Sequence, residues 1–181
     1  MKLYKLNYKE NLNNPEANPW EIQDLILGDL NLIVGENASG KSRTIRVINN
    51  FAKIISTPTI KLLNGEFYFE FVYDKDTRFV YKCKVENQKV AEEMITANEE
   101  IKLRRDASRT QLYSDTEKKY INIDPPIDKL VLHVRRDKKE YPFFEALIRW
   151  ANNTKGFYFG NTHPDYIEIP KGTVKWFSVA T

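Results

Sequence analysis

The residues Gly35-Glu36-Asn37-Ala38-Ser39-Gly40-Lys41-Ser42 carry the spacing GxxxxGK[ST] without a gap, and this order of residue types suits the binding of a polyphosphate. The two glycines let the backbone turn so that successive N–H groups face an anion, and a helix beginning near Lys41 adds the positive end of its dipole. The Lys41 ammonium can reach β- and γ-phosphate oxygens, and the Ser42 hydroxyl is of the type that ligates a bridging Mg2+. A nucleoside triphosphate and Mg2+ are the expected cofactors. Gly35, Glu36, Asn37, Ala38, Ser39, Gly40, Lys41 and Ser42 are the expected nucleotide-binding residues, with Ser42 as the metal ligand.

Such a loop must lie between a buried strand and a helix. Leu30-Asn31-Leu32-Ile33-Val34 is an apolar run suited to a central strand, and Ile45, Ile48, Phe51, Ala52 and Ile55 fall at helical spacing over Thr44 to Ile55, with Pro58 as the stop. Upstream, Tyr4, Leu6 and Tyr8 alternate with polar residues as a half-buried strand, Asn11 to Pro19 read as a polar loop, and Trp20 to Leu27 as a second strand. Gly28-Asp29 turns that strand into the run feeding the loop.

A β-rich stretch follows. Phe67, Phe69, Phe71 and Tyr73 share one face, Phe79, Tyr81, Cys83 and Val85 share another, and Asp74-Lys75-Asp76-Thr77 joins them as a hairpin. Lys89 to Ala97 and Glu100 to Arg105 add strands. After Pro125-Pro126, Leu130-Val131-Leu132-His133-Val134 reads as a buried strand, and a helix starts at Pro142, where proline is accepted in the first turn. Short strands are expected at Gly156-Phe157-Tyr158-Phe159 and from Thr173 to Val179. The organisation is thus a strand-loop-helix nucleotide core over 1–60, an antiparallel β subdomain over 61–125 and a strand-helix segment over 126–181.

The string GENASGKS resembles the G-x-N-x-S-G-K-S loop of ABC-type ATPase heads, and Ile22 to Val34 looks like the approach to that loop in the RecF, SMC and OLD-like group. Arg136-Asp137, Tyr141-Pro142-Phe143-Phe144-Glu145 and Trp150-Ala151 are similar to a segment of bacterial AAA-labelled members of the group. The resemblance implies an α/β fold: the N-terminal lobe of a P-loop NTPase, with a mixed core sheet and an antiparallel β layer. It also implies Mg-ATP as ligand and hydrolysis, with ATP sandwiched against a second ATPase head, here in a homodimer, and coupled to an effector protein or to DNA. DNA repair and anti-phage defence are the settings it suggests. Such a head also needs a Walker B Asp-Glu, an LSGGQ-like signature and a switch histidine. Tyr120-Ile121-Asn122-Ile123-Asp124 departs from the Walker B pattern at Asn122 and Pro125, and no LSGGQ-like string is present. Catalytic residues are therefore unassigned, and the chain reads as one lobe completed by further polypeptide. Two alternatives are a non-hydrolysing ATP-dependent interaction module and a small phosphotransferase.

Length and composition agree with one such lobe. The 181 residues are 41% hydrophobic and 13% aromatic, enough for a core, and a net charge of +3 is too mild to argue for nucleic acid by itself. One cysteine, Cys83, excludes an internal disulfide, and no apolar run approaches a membrane span, so a soluble cytoplasmic protein without a membrane partner is expected. His133 reads as a packed, hydrogen-bonded histidine and His163 as a loop residue; their separation from Cys83 leaves no transition-metal pattern. Arg104-Arg105, Arg135-Arg136 and Lys138-Lys139 read as solvated strand ends and turns, with DNA phosphates as the alternative. Lys171 to Phe177 matches the opening of cold-shock domains, but the aromatic stretch at Phe157-Tyr158-Phe159 precedes the match when it should follow it.

Overall fold

Alternation of aromatic and charged residues from Gly65 to Glu86 builds the centre of the molecule. In the computed structural model, which describes residues 1–10, 19–73 and 77–156, the elements are β1 (Lys2–Glu10), β2 (Glu21–Ile26), α1 (Lys41–Ser56), β3 (Gly65–Val72), β4 (Arg78–Glu86), β5 (Lys89–Ala97), β6 (Glu100–Arg105), β7 (Thr110–Ser114), β8 (Lys119–Ile123), α2 (Val131–Val134) and α3 (Pro142–Asn153). The strands form one sheet in the order β2-β1-β3-β4-β5-β6-β7-β8, and each neighbouring pair is antiparallel.

This architecture overturns the expected α/β fold with a mixed core sheet. Among the described residues the antiparallel layer is the whole sheet, and Leu30 to Val34, expected as a central strand, forms none. The reason lies in the connections. Parallel pairing needs long crossovers, whereas β4 to β5 and β5 to β6 are joined by the two-residue turns Asn87-Gln88 and Asn98-Glu99, all four residues having positive φ. That geometry matches the right-handed twist of a hairpin and drives antiparallel pairing.

Register places one apolar row across the sheet. Leu6 faces Phe69, Phe69 faces Tyr81, and the row continues through Ile95, Leu103 and Leu112 to Ile121. Phe79, Tyr81, Cys83 and Val85 therefore share the face of Phe67, Phe69 and Phe71, because residues directly opposite in a ladder point the same way; Tyr73 lies past the end of β3 and is exposed. In β1 the buried residues are Leu3, Leu6 and Tyr8, not the strict Tyr4-Leu6-Tyr8 alternation. A register shift between Leu3 and Lys5 inserts one residue and turns Leu3 inward.

Helices α1 and α3 pack on each other and cover this face. Phe51 of α1 stacks on Phe69 at a centroid distance of 3.8 Å and meets Tyr81 at 5.4 Å, while Trp150 of α3 meets Phe71 edge-on at 4.8 Å. The α1 boundaries agree with its sequence signals: Thr57, before Pro58, is extended and ends the helix. Phe143, Phe144, Leu147 and Ala151 are the buried stripe of α3. No helix among the described residues is long and apolar enough to cross a membrane. The expected loop at Asn11 to Pro19 up to Asn18, the hairpin turn at Asp74-Lys75-Asp76, and the readings placed on Phe157-Tyr158-Phe159, His163, Lys171 to Phe177 and Thr173 to Val179 lie outside the described residues.

The segment Leu130 to Val134, expected as a strand, instead contains the short helix α2 with Leu130 as its N-cap. A brief apolar run cannot distinguish a buried strand from a buried helical turn, and tertiary contacts decide this one. The Glu93 carboxylate of β5 accepts the Val131 N–H at 3.0 Å and the Tyr81 hydroxyl at 2.8 Å, and Arg105 donates to the carbonyls of Lys129 and Pro126 at 2.8 and 3.0 Å. His133 fulfils the packed reading, with Nε2 2.9 Å from the Ile54 carbonyl oxygen of α1.

Glu93 is fully buried, and burial pushes its carboxyl up to about 7, against the opposing pull of the Val131 N–H, Tyr81 and Arg105. A carboxyl raised in the folded state is protonated in the fold when the unfolded chain has already lost its proton, so its contribution is present below the unfolded value and fades as pH rises through about 7. Thermal midpoints are thus expected to fall between pH 5 and pH 8, and Glu93→Gln, which keeps the acceptor oxygen without the titration, is expected to flatten that slope. A wild-type slope unchanged in Glu93→Gln would reject the assignment.

Candidate phosphate site

The turn before the loop forms as the sequence predicts, by side-chain substitution for a backbone turn: Asn31 Oδ1 accepts the Gly28 N–H at 2.8 Å, and Asn31 Nδ2 donates to the Gly28 carbonyl at 3.2 Å. Beyond it the chain runs in the open. Leu30, Leu32 and Val34 are 84%, 76% and 76% exposed, so the strand expected to anchor the loop from upstream is an uncovered apolar edge.

Gly35 to Ser42 nevertheless come together as a curled loop leading into α1. Ser39 N–H donates to the Glu36 carbonyl at 3.2 Å, Ala38 and Gly40 adopt left-handed backbone at φ 64° and 95°, and the helix starts at Lys41. A Cβ on Gly35 would stand 2.8 Å from Ser39 Oγ, so a side chain there would displace the Ser39 hydroxyl. The Lys41 ammonium donates to the carbonyls of Gly35 and Glu36 at 2.6 and 2.7 Å, which folds its side chain back across the loop. No side chain caps the N-terminus of α1, and its first turn carries no acidic residue. The start of this 16-residue helix therefore offers uncapped N–H groups and the positive end of its dipole beside the loop that Lys41 crosses. Ser42 is exposed on this turn, and Thr44, one turn into α1, donates from N and Oγ1 to the Gly40 carbonyl at 2.9 and 3.2 Å.

Three residues that sequence reasoning did not assign to the site also meet the loop. The Trp20 indole lies against Gly40, where an added Cβ would stand 3.0 Å from Nε1. The Arg43 guanidinium sits over the Trp20 ring at 4.6 Å and is held by Glu10 at 2.5 Å. The only sequence signal for this group was the aromatic residue ahead of β2 and the arginine after Gly40-Lys41-Ser42.

Asp124 does not complete the loop. Asp124 follows β8, at the opposite edge of the sheet from β2, and Asp74 is outside the described residues. Among the described residues no three His, Cys, Asp or Glu side chains group as metal ligands. Of the basic pairs, Arg105 is buried and spent on internal carbonyls, Arg104 pairs with Asp106 at 3.3 Å, and Lys138 pairs with Glu145 at 3.1 Å. Searches against protein-family models, curated proteins and solved structures find no match to this chain.

Proposed function

We propose that this chain binds Mg-ATP through Gly35 to Ser42 and acts as one part of an ABC-like ATPase whose hydrolytic residues come from a second lobe and a second head. The observation that carries the reading is the Lys41 ammonium folded over the Gly35 and Glu36 carbonyls at the uncapped start of α1. An anion entering there would meet backbone N–H groups, a helix dipole and a lysine ammonium, the combination that a triphosphate tail needs. Ser42, exposed on the first turn of α1, would be the residue to hold a Mg2+ ion, which would neutralise phosphate charge there.

The uncovered run Leu30-Asn31-Leu32-Ile33-Val34 supports the second part of the reading. Contiguous apolar exposure of this kind marks a surface meant to be covered, and it lies immediately before the loop, where a completing segment would also stiffen the phosphate site. An attached effector or DNA would respond to the closure of two heads on ATP.

Titration of the purified chain with a fluorescent ATP analogue, with and without Mg2+, tests the assignment. Wild type is expected to bind more tightly with Mg2+ and to release phosphate negligibly. Ser42→Ala is expected to lose roughly tenfold in the Mg2+-containing titration, about 1.4 kcal/mol, and little in the metal-free one. Equal losses in both titrations would remove Ser42 as the Mg2+ ligand, and a folded wild type that binds no ATP would end the nucleotide reading. Robust turnover by this chain alone would show that its catalytic acid is internal.

A further inference from the structure

We infer that Trp20, Arg43 and Glu10 form a clamp that sets the phosphate loop against the sheet, with Trp20 as a positioning residue for polyphosphate binding; this rests on the nucleotide reading of Gly35 to Ser42. The loop's own hydrogen bonds are internal: Ser39 to Glu36, Lys41 to Gly35 and Glu36, and Thr44 to Gly40. They fix the curl but not its place on the molecule. The clamp supplies that place from β1, whose last residue, Glu10, donates its N–H to the Trp20 carbonyl at 3.0 Å.

The geometry is a sandwich with three layers. One edge of the indole fills the space that a side chain at residue 40 would occupy, with Cε2 and Cζ2 both 3.3 Å from an added Cβ. Arg43, on the first turn of α1, covers the ring at 4.6 Å, and its guanidinium is tied at 2.5 Å to the Glu10 carboxylate. Tyr8 supports the ring at 5.9 Å. Gly40 therefore does two things: its φ of 95° makes the turn, and its missing side chain admits Trp20. Both ends of the junction, the last loop residue and the first helical turn, are held to the end of β1. Anion binding by backbone N–H groups depends on their aim, because a hydrogen bond weakens steeply as its angle closes.

A clamp on the loop acts on the phosphates and is indifferent to the base. The test uses the full chain as wild type, Trp20→Ala, Trp20→Phe and Glu10→Gln, and measures direct binding of a fluorescent ATP analogue and its displacement by inorganic pyrophosphate, with thermal unfolding as the check on folding. Trp20→Ala is expected to weaken both ligands by the same factor, on the order of tenfold. Trp20→Phe, which keeps an aromatic face for Arg43, is expected to stay within about twofold of wild type. Glu10→Gln is expected to weaken both ligands by an intermediate factor.

Wild-type affinity for both ligands in Trp20→Ala overturns the clamp and leaves the nucleotide reading standing. A loss confined to the ATP analogue overturns it too, since Trp20 would then touch the base. If Trp20→Ala does not fold, Glu10→Gln decides, and unchanged affinity for both ligands there overturns the proposal. A folded wild type that binds neither ligand removes the nucleotide reading and the clamp with it.

Discussion

Lys41→Ala is expected to weaken ATP binding by roughly a hundredfold, close to 3 kcal/mol, while the fold survives. The side chain is partly exposed and donates to two loop carbonyls, Gly35 and Glu36. Neither contact contributes to the apolar core. What is lost is a charge-assisted donor to the phosphates, and Arg43, the next cation along α1, is engaged with Glu10 and Trp20. Lys41→Arg is not expected to restore binding, because a planar fork cannot follow the path of a point charge folded over the loop. Titration with a fluorescent ATP analogue, paired with thermal unfolding, separates the terms. A folded Lys41→Ala variant that binds as wild type does would remove the phosphate assignment.

Much of the local structure was legible because short-range chemistry decides it. The Phe67-Phe69-Phe71 and Phe79-Tyr81-Cys83 alternations became β3 and β4, and the apolar spacing before Pro58 became α1. What the sequence did not convey is partnership. Leu30 to Val34 has the composition of a buried strand, yet burial is a property of what lies beside it, and among the described residues it has no strand neighbour. The expected mixed sheet failed on that point. Leu130 to Val134 failed for a related reason: a buried carboxylate far away in sequence, Glu93, accepts the Val131 N–H and favours a helical turn over extension.

The candidate site divides in the same way. Spacing alone located the curl, the lysine and the start of α1, since each depends on residues within a few positions of one another. The Trp20-Arg43-Glu10 group was not legible, because it joins the end of β1 to the first turn of α1 across a loop and a strand, and neither a lone tryptophan nor a lone arginine announces such a contact. Likewise, Arg104-Arg105 looked like one basic pair, but strand alternation sends Arg105 into the interior and leaves Arg104 outside.

Phe51→Ala is expected to be the most destabilising single change in the helix that carries the loop, at about 3–5 kcal/mol. Phe51 is only 2% exposed, and its ring meets Phe67, Phe69, Tyr81 and Trp150, so truncation leaves a cavity bounded by two sheet strands and α3. Such rings are held by rigid neighbours on a paired sheet and cannot collapse into the gap, which places the cost toward the upper end of the range. Against a total stability of ~5–15 kcal/mol for a domain, this is a large fraction. Denaturant unfolding followed by tryptophan emission should show a lower midpoint with little change in slope, and Phe51→Leu should recover a large part of the loss. The same variant links packing to the site. The stack fixes α1 to β3 and β4, and the clamp fixes its first turn to β1; with the stack gone, the folded fraction of Phe51→Ala should bind the ATP analogue more weakly than wild type. A stability loss of less than about 1 kcal/mol would mean that α1 is held to the sheet by other contacts.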